Sequence, residues 1–139
     1  MTAFVLDASV TLSWYFEDEA SEAADRLLER LDTETAAVPT LWHLEIANVI
    51  ASAERRGRVT SARSAEFIAQ LERLLITVDE ETTHRAFGGV LALARTERLT
   101  AYDASYLELA MRLGVPLASK DRDLCDAAER VGVTVIRTA

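Results

Sequence analysis

Few residues in this chain are able to cross-link, break or punctuate it. There is one cysteine, Cys125, so no disulfide within the chain is possible, and a reducing compartment suits it. Two prolines and five glycines leave little irregular backbone, and no linker, repeat or low-complexity stretch is present. No apolar run reaches the length of a membrane span, and the N-terminus MTAFVLDASV lacks a basic leader segment. A soluble, cytoplasmic protein with no membrane contact is expected. Positive charge is also scarce: 15 basic against 23 acidic residues give a formal net charge of -8. That balance argues against a protein that coats nucleic acid non-specifically, though not against a local basic patch. Lys120 is the sole lysine; every other cation is arginine, the side chain suited to planar contacts with carboxylate and phosphate.

What the chain has is a real core. Half of its 139 residues are hydrophobic, which suits one compact domain over residues 1–139. Short apolar runs read as strands at Ala3–Leu6, Ala36–Val38, Ile76–Val78, Pro116–Ser119 and Val133–Ile136. Between them, helical patterns cover a segment running to Phe16, then Ser21–Leu31, Leu41–Arg56, Ser61–Leu74, Glu81–Arg95, Tyr102–Arg112 and Leu124–Arg130. On Ser61–Leu74 and just beyond, Phe67, Ile68, Leu71, Leu74 and Leu75 share a side. Alternating strands and helices predict a three-layer α/β/α sandwich around a short, mostly parallel sheet of four or five strands.

Four acids sit in strongly apolar surroundings: Asp7 in AFVLD, Glu45 in LWHLEIANVI, Asp103 in TAYDASYLELA and Asp121 in PLASKD. Taken singly, three have a simple explanation as helix caps: Asp7 and Asp121 at strand-to-helix turns, and Asp103 in a Thr100-x-x-Asp103 capping box. Glu45 does not, because it lies inside a helix that reads as largely buried. Glu45, Asn48 and Ser52 share one stripe of it, facing a cleft or a polar network. Taken together, strand-end acids converge on the edge where parallel sheets place their active crevice. Like charges there repel by roughly 4 kcal/mol per close pair at an effective dielectric near 20. A divalent cation turns that repulsion into affinity, and an all-oxygen set suits Mg²⁺ or Mn²⁺. Ser9 and Ser119, each two residues from an acid, are candidates to orient a carboxylate. Asp123 is a candidate outer ligand, and Lys120 and Arg122 are candidates to hold a substrate phosphate. The arginines at 55, 56, 58 and 63 read either as an RNA or partner contact or as a solvated turn. Cys125 reads as a small buried hydrophobe. Phosphate-loop, zinc-deaminase and serine-hydrolase motifs are absent.

VLDASV, LEIANVI, TAYDASYLELA and PLASKDRDL, in that order, strongly resemble PIN-domain ribonucleases, and among them VapC-type toxins of toxin–antitoxin pairs. The resemblance spans essentially the whole chain. It implies a quartet of Asp7, Glu45, Asp103 and Asp121 that holds Mg²⁺ or Mn²⁺ for cleavage of structured RNA, tRNA or rRNA. It also implies a homodimer, and an antitoxin lying over the early helices with an arginine toward the acids. Leu12, Trp14, Tyr15 and Phe16 crowd one segment near the first acid, as an apolar docking groove or as core. Alternatives are a PIN nuclease of RNA processing, a catalytically silent magnesium-binding module, and a phosphoacceptor signalling domain. The last normally has adjacent acids after its first strand, where this chain has Ala8 and Ser9.

Overall fold

A computed structural model describes residues 1–139. Five strands form one sheet: β1 (Thr2–Leu6), β2 (Thr35–Pro39), β3 (Ile76–Asp79), β4 (Leu117–Ser119) and β5 (Val135–Arg137). All pairings are parallel and the order is β3-β2-β1-β4-β5. Helices cover both faces, as the alternating pattern predicts: α1 (Ala8–Ser13), α2 (Glu22–Arg30), α3 (Leu41–Arg55), α4 (Ser61–Glu72), α5 (Thr82–Arg85), α6 (Leu91–Glu97), α7 (Ala101–Leu113) and α8 (Arg122–Arg130). No helix is long and apolar enough to cross a membrane.

The order matters for function. From β1 the chain steps outward to β2 and β3, then returns to the other side of β1 for β4 and β5. The reversal lies between β1 and β4, where a crevice opens beyond the strand ends. Leu6 pairs with Ala118 at this point, so Asp7 emerges beside Ser119. The strands are short; the three inner ones are buried on both faces, with Phe4, Val5, Leu6, Leu117 and Ala118 completely enclosed, while the edge strands β3 and β5 are only partly covered. Gly114 closes α7 with φ +66°, a left-handed turn that lets the chain re-enter the sheet as β4.

Three expectations need correction. The single helix expected over Glu81–Arg95 is broken: α5 passes into a π turn at Ala86–Val90, where Gly88 and Gly89 loosen the backbone, before α6 resumes. Helix α3 is not buried all round. Trp42, Ile46, Ile50 and Ala53 face the core, while Leu44 is 75% exposed and Asn48 lies in solvent. Along the flank that runs from Trp42 and Ile46 to Ala47 and Ala51, α3 walls an apolar groove of about 560 Å³ against α4 and β3. The α4 stripe divides in the same way, with Phe67 fully buried and Ile68 and Leu75 exposed.

Trp14, Tyr15 and Phe16 are buried in the core, Phe16 keeping an edge toward the cleft beside Ser9. Helix α1 stops at Ser13, and the turn beyond it folds all three rings inward. The Trp14 indole donates to the Ala24 carbonyl at 2.9 Å, the Tyr15 hydroxyl bonds Ser64 Oγ at 2.7 Å, and Arg58 stacks on Phe16 at 3.8 Å. Leu12 alone is half-buried. Trp14→Ala should therefore cost about 3–5 kcal/mol of folding stability in urea titration. The solvent-facing Leu44→Ala should stay within about 0.5 kcal/mol of the parent.

Candidate active site

Asp7 sits at the position preceding α1, yet its side chain does not cap that helix. It is turned instead into the protein, 5% exposed, where Ser9 Oγ donates to Oδ2 at 2.6 Å and Ser119 Oγ donates to the same oxygen at 2.7 Å. The serines are fixed in turn. The Lys120 amide donates to Ser9 Oγ at 3.1 Å and the Asp121 amide donates to Ser119 Oγ at 3.0 Å. Two hydroxyls and two amides thus tie the end of β1 to the turn after β4. Burial pushes the Asp7 carboxyl above the usual carboxylate range; the two serine hydroxyls pull it back, and Asp121 adds a further push upward.

The other acids arrive from three helices. Asp121 does cap α8, Oδ1 accepting from the Leu124 amide at 2.9 Å. Thr100 caps α7 by accepting the Asp103 amide at 3.1 Å, and no protein donor reaches the Asp103 carboxylate. Burial first, then the charges of Asp121, Asp7, Glu45 and Asp123, push the Asp103 carboxyl up to about 7. Glu45, one turn into α3, accepts at Oε1 from the Tyr106 hydroxyl at 2.5 Å. Burial raises its carboxyl, the Tyr106 bond lowers it, and Asp7 raises it again. Burial, the charge of Asp7 and the bond to Glu45 also lift the Tyr106 phenol far above its ordinary value, so it remains a donor.

The four acids are in electrostatic reach of one another, but they do not form a closed cage. No three acidic, histidine or cysteine side chains take up metal-holding geometry together. Three of the four carboxylates are held by their own donors, Asp7 by the two serines, Glu45 by Tyr106 and Asp121 by the Leu124 amide, which keeps the acids apart while their charges still act on one another. Such spacing still fits a magnesium-type ion, which takes one or two carboxylates and keeps several waters. The donor set is all oxygen, and no protein cation occupies the cluster. Lys120 pairs with Glu19 at 2.9 Å, and Arg112 pairs with Asp79 at 2.8 Å and Glu108 at 2.9 Å.

The remaining candidates separate clearly. Ser9 and Ser119 belong to the site. Asp123 is exposed at its rim and close enough to affect Asp103. Arg122 is exposed and unpaired, whereas Lys120 is held by Glu19 away from the role of a free phosphate ligand. The Asn48 side chain is exposed on α3, outside the acidic cluster. Beside Ser9 a cleft of about 350 Å³ runs past Leu12, Phe16 and Val49 to Arg56 and Arg58. Arg58 is committed to Asp18 at 2.8 Å and Arg63 to the Trp14 carbonyl at 2.9 Å, so of the four only Arg55 and Arg56 keep their guanidinium groups free of protein partners. Cys125 is buried, as expected of a small hydrophobe. Tyr106 was overlooked in the sequence. Its signal was there: it follows Asp103 by one helical turn, on the face that meets the acids.

Comparison with known proteins agrees with this fold. The family model for the PIN domain matches residues 4–130. Ribonuclease VapC3 of Pyrobaculum aerophilum is 27% identical over 122 residues, 88% of this chain and 92% of that protein. Several crystal structures share the fold. One, of a Pyrobaculum aerophilum protein, has a TM-score of 0.71 at 23% identity, over 97% of this chain and 90% of the other. VapBC2 from Rickettsia felis, bound to a DNA fragment from their promoter, has a TM-score of 0.68 at 13% identity, over 96% and 97% of the two chains. FitAcB from Neisseria gonorrhoeae has a TM-score of 0.66 at 17% identity, over 97% of each.

The raised carboxyl of Asp103 has a consequence for the metal-free protein. Its folded-state value near 7 exceeds the ordinary value of 3.8, so folding favours the protonated form. That stability is fully present below pH 3.8 and is lost as pH rises through about 7. In EDTA-treated protein, Asp103→Asn should flatten this slope. It should raise Tm at pH 8 by roughly 2–4 °C for each kcal/mol of repulsion relieved, as read by calorimetry.

Proposed function

The chain belongs to the PIN-domain family, and on that premise we propose that it is a divalent-metal-dependent endoribonuclease of the VapC type. It acts as the toxin of a toxin–antitoxin pair, on structured RNA of the tRNA or rRNA class. The observation that carries the reading is the meeting of Asp7, Glu45, Asp103 and Asp121 at the sheet's reversal point without a protein counter-ion. Such a set binds a hard cation, and the four acids would hold Mg²⁺ or Mn²⁺. When bound, the ion supplies an activated water near neutral pH and neutralises charge at the scissile phosphate.

The chain's own residues do the rest. Ser9 and Ser119 fix the Asp7 carboxylate and favour its anionic form against the effect of burial. The cap bond of Asp121 leaves Oδ2 without a protein donor. Asp103, whose carboxylate has no protein donor, is left free to face the ion. Arg56, exposed at the end of the cleft that begins at Ser9, meets the RNA backbone outside the scissile position. Family resemblance supports a homodimer and an antitoxin. The cleft past Leu12, Phe16 and Val49, rather than Trp14 and Tyr15, is the seat that lets an antitoxin cover the acids.

Asp7→Asn should lower cleavage of purified RNA by on the order of 10³-fold or more while leaving the thermal melt cooperative. Excess EDTA should do the same to the parent protein. Arg56→Ala should raise KM several-fold with kcat unchanged, since a peripheral phosphate contact contributes uniform binding. Full activity in EDTA would sink the metal reading.

A further inference from the structure

Helix α7 carries two side chains that address the acidic cluster, one turn apart. Asp103 belongs to it directly. Tyr106 is completely buried, and its hydroxyl reaches across 61 residues of sequence to Glu45 Oε1 at 2.5 Å. Its helix neighbours Ala104, Leu107, Leu109 and Ala110 are all buried and apolar. Phenylalanine would fill the same space there without enclosing a polar group. No other side chain or amide donates to Glu45, so this phenol is the only protein group that orients that carboxylate.

We propose that Tyr106 is a positioning residue of the acidic cluster: its hydroxyl fixes Glu45 Oε1 and so presents Oε2 to a divalent cation. This rests on the metal-dependent reading above. A free glutamate on a solvent-lined helix samples many rotamers, and ordering it on binding weakens affinity. The phenol meets that ordering cost during folding. Donors behind a ligand commonly alter metal affinity by about 10–100-fold.

The test is Mn²⁺ titration by calorimetry on the whole chain, with RNA cleavage alongside. Tyr106→Phe should weaken Mn²⁺ binding about tenfold and lower kcat at fixed sub-saturating Mn²⁺, with the KM for RNA unchanged. A purely structural bond would shift the thermal melt and leave Mn²⁺ affinity alone. In a Glu45→Gln background, adding Tyr106→Phe should change Mn²⁺ affinity no further. Independent, additive losses would overturn the proposal, as would parental Mn²⁺ affinity in Tyr106→Phe. A parent protein that binds no Mn²⁺ would overturn the metal reading and this proposal together. If Tyr106→Phe does not fold, the parent protein still decides. Its Tyr106 hydroxyl proton should be resolved by NMR and should move when Mg²⁺ is added to saturation. A resonance unmoved by Mg²⁺ would overturn the proposal.

Discussion

The structure is organised around one costly act, the enclosure of the Asp7 carboxylate at the end of the central strand. An ionised group taken out of water must be given donors. Here they come from Ser9 on one side and Ser119 on the other, each braced by an amide of the turn after β4. The pairing of β1 with β4 is therefore continued beyond the sheet by polar bonds. The same bonds bring Asp121 alongside. Take away the buried acid and the two serines have no reason to point inward.

Charge placement elsewhere sharpens this. The arginines are used as structural ties: Arg112 between Asp79 and Glu108, Arg58 over Phe16 and against Asp18, Arg63 on the Trp14 carbonyl. Lys120, adjacent to Asp121, is drawn off by Glu19. The cluster thus keeps its negative potential uncancelled, and acids of three helices and a strand end face one crevice. Repulsion among them is felt most at Asp103, whose carboxylate has no protein donor of its own.

Much of this was legible in the sequence, because the fold class follows from alternation of strand and helix and the acids stand out against apolar neighbours. Asp7 and Asp121 were placed correctly by their positions just past strand ends. What the sequence obscured was which apolar surfaces are covered. Leu44 and Ile50 are equally hydrophobic, yet one is in solvent and one is in the core, because coverage of α3 depends on packing by distant elements. Trp14, Tyr15 and Phe16 are consecutive and so cannot share one helix face. Only the turn after Ser13 lets all three point inward, and a turn of that shape leaves no periodic mark. Tyr106 was hidden for the opposite reason: a tyrosine in an apolar helix reads as core, and its hydroxyl's partner lies 61 residues away.

The bond between Asp7 and Ser119 also spans 112 residues. A chain still being made therefore exposes its first acid long before the serine and the cap acid of β4 and α8 exist. Its local helices form early, but the crevice is a long-range product, assembled only once synthesis has passed Asp121. A site wired in this way cannot be complete in a fragment that ends before Asp121.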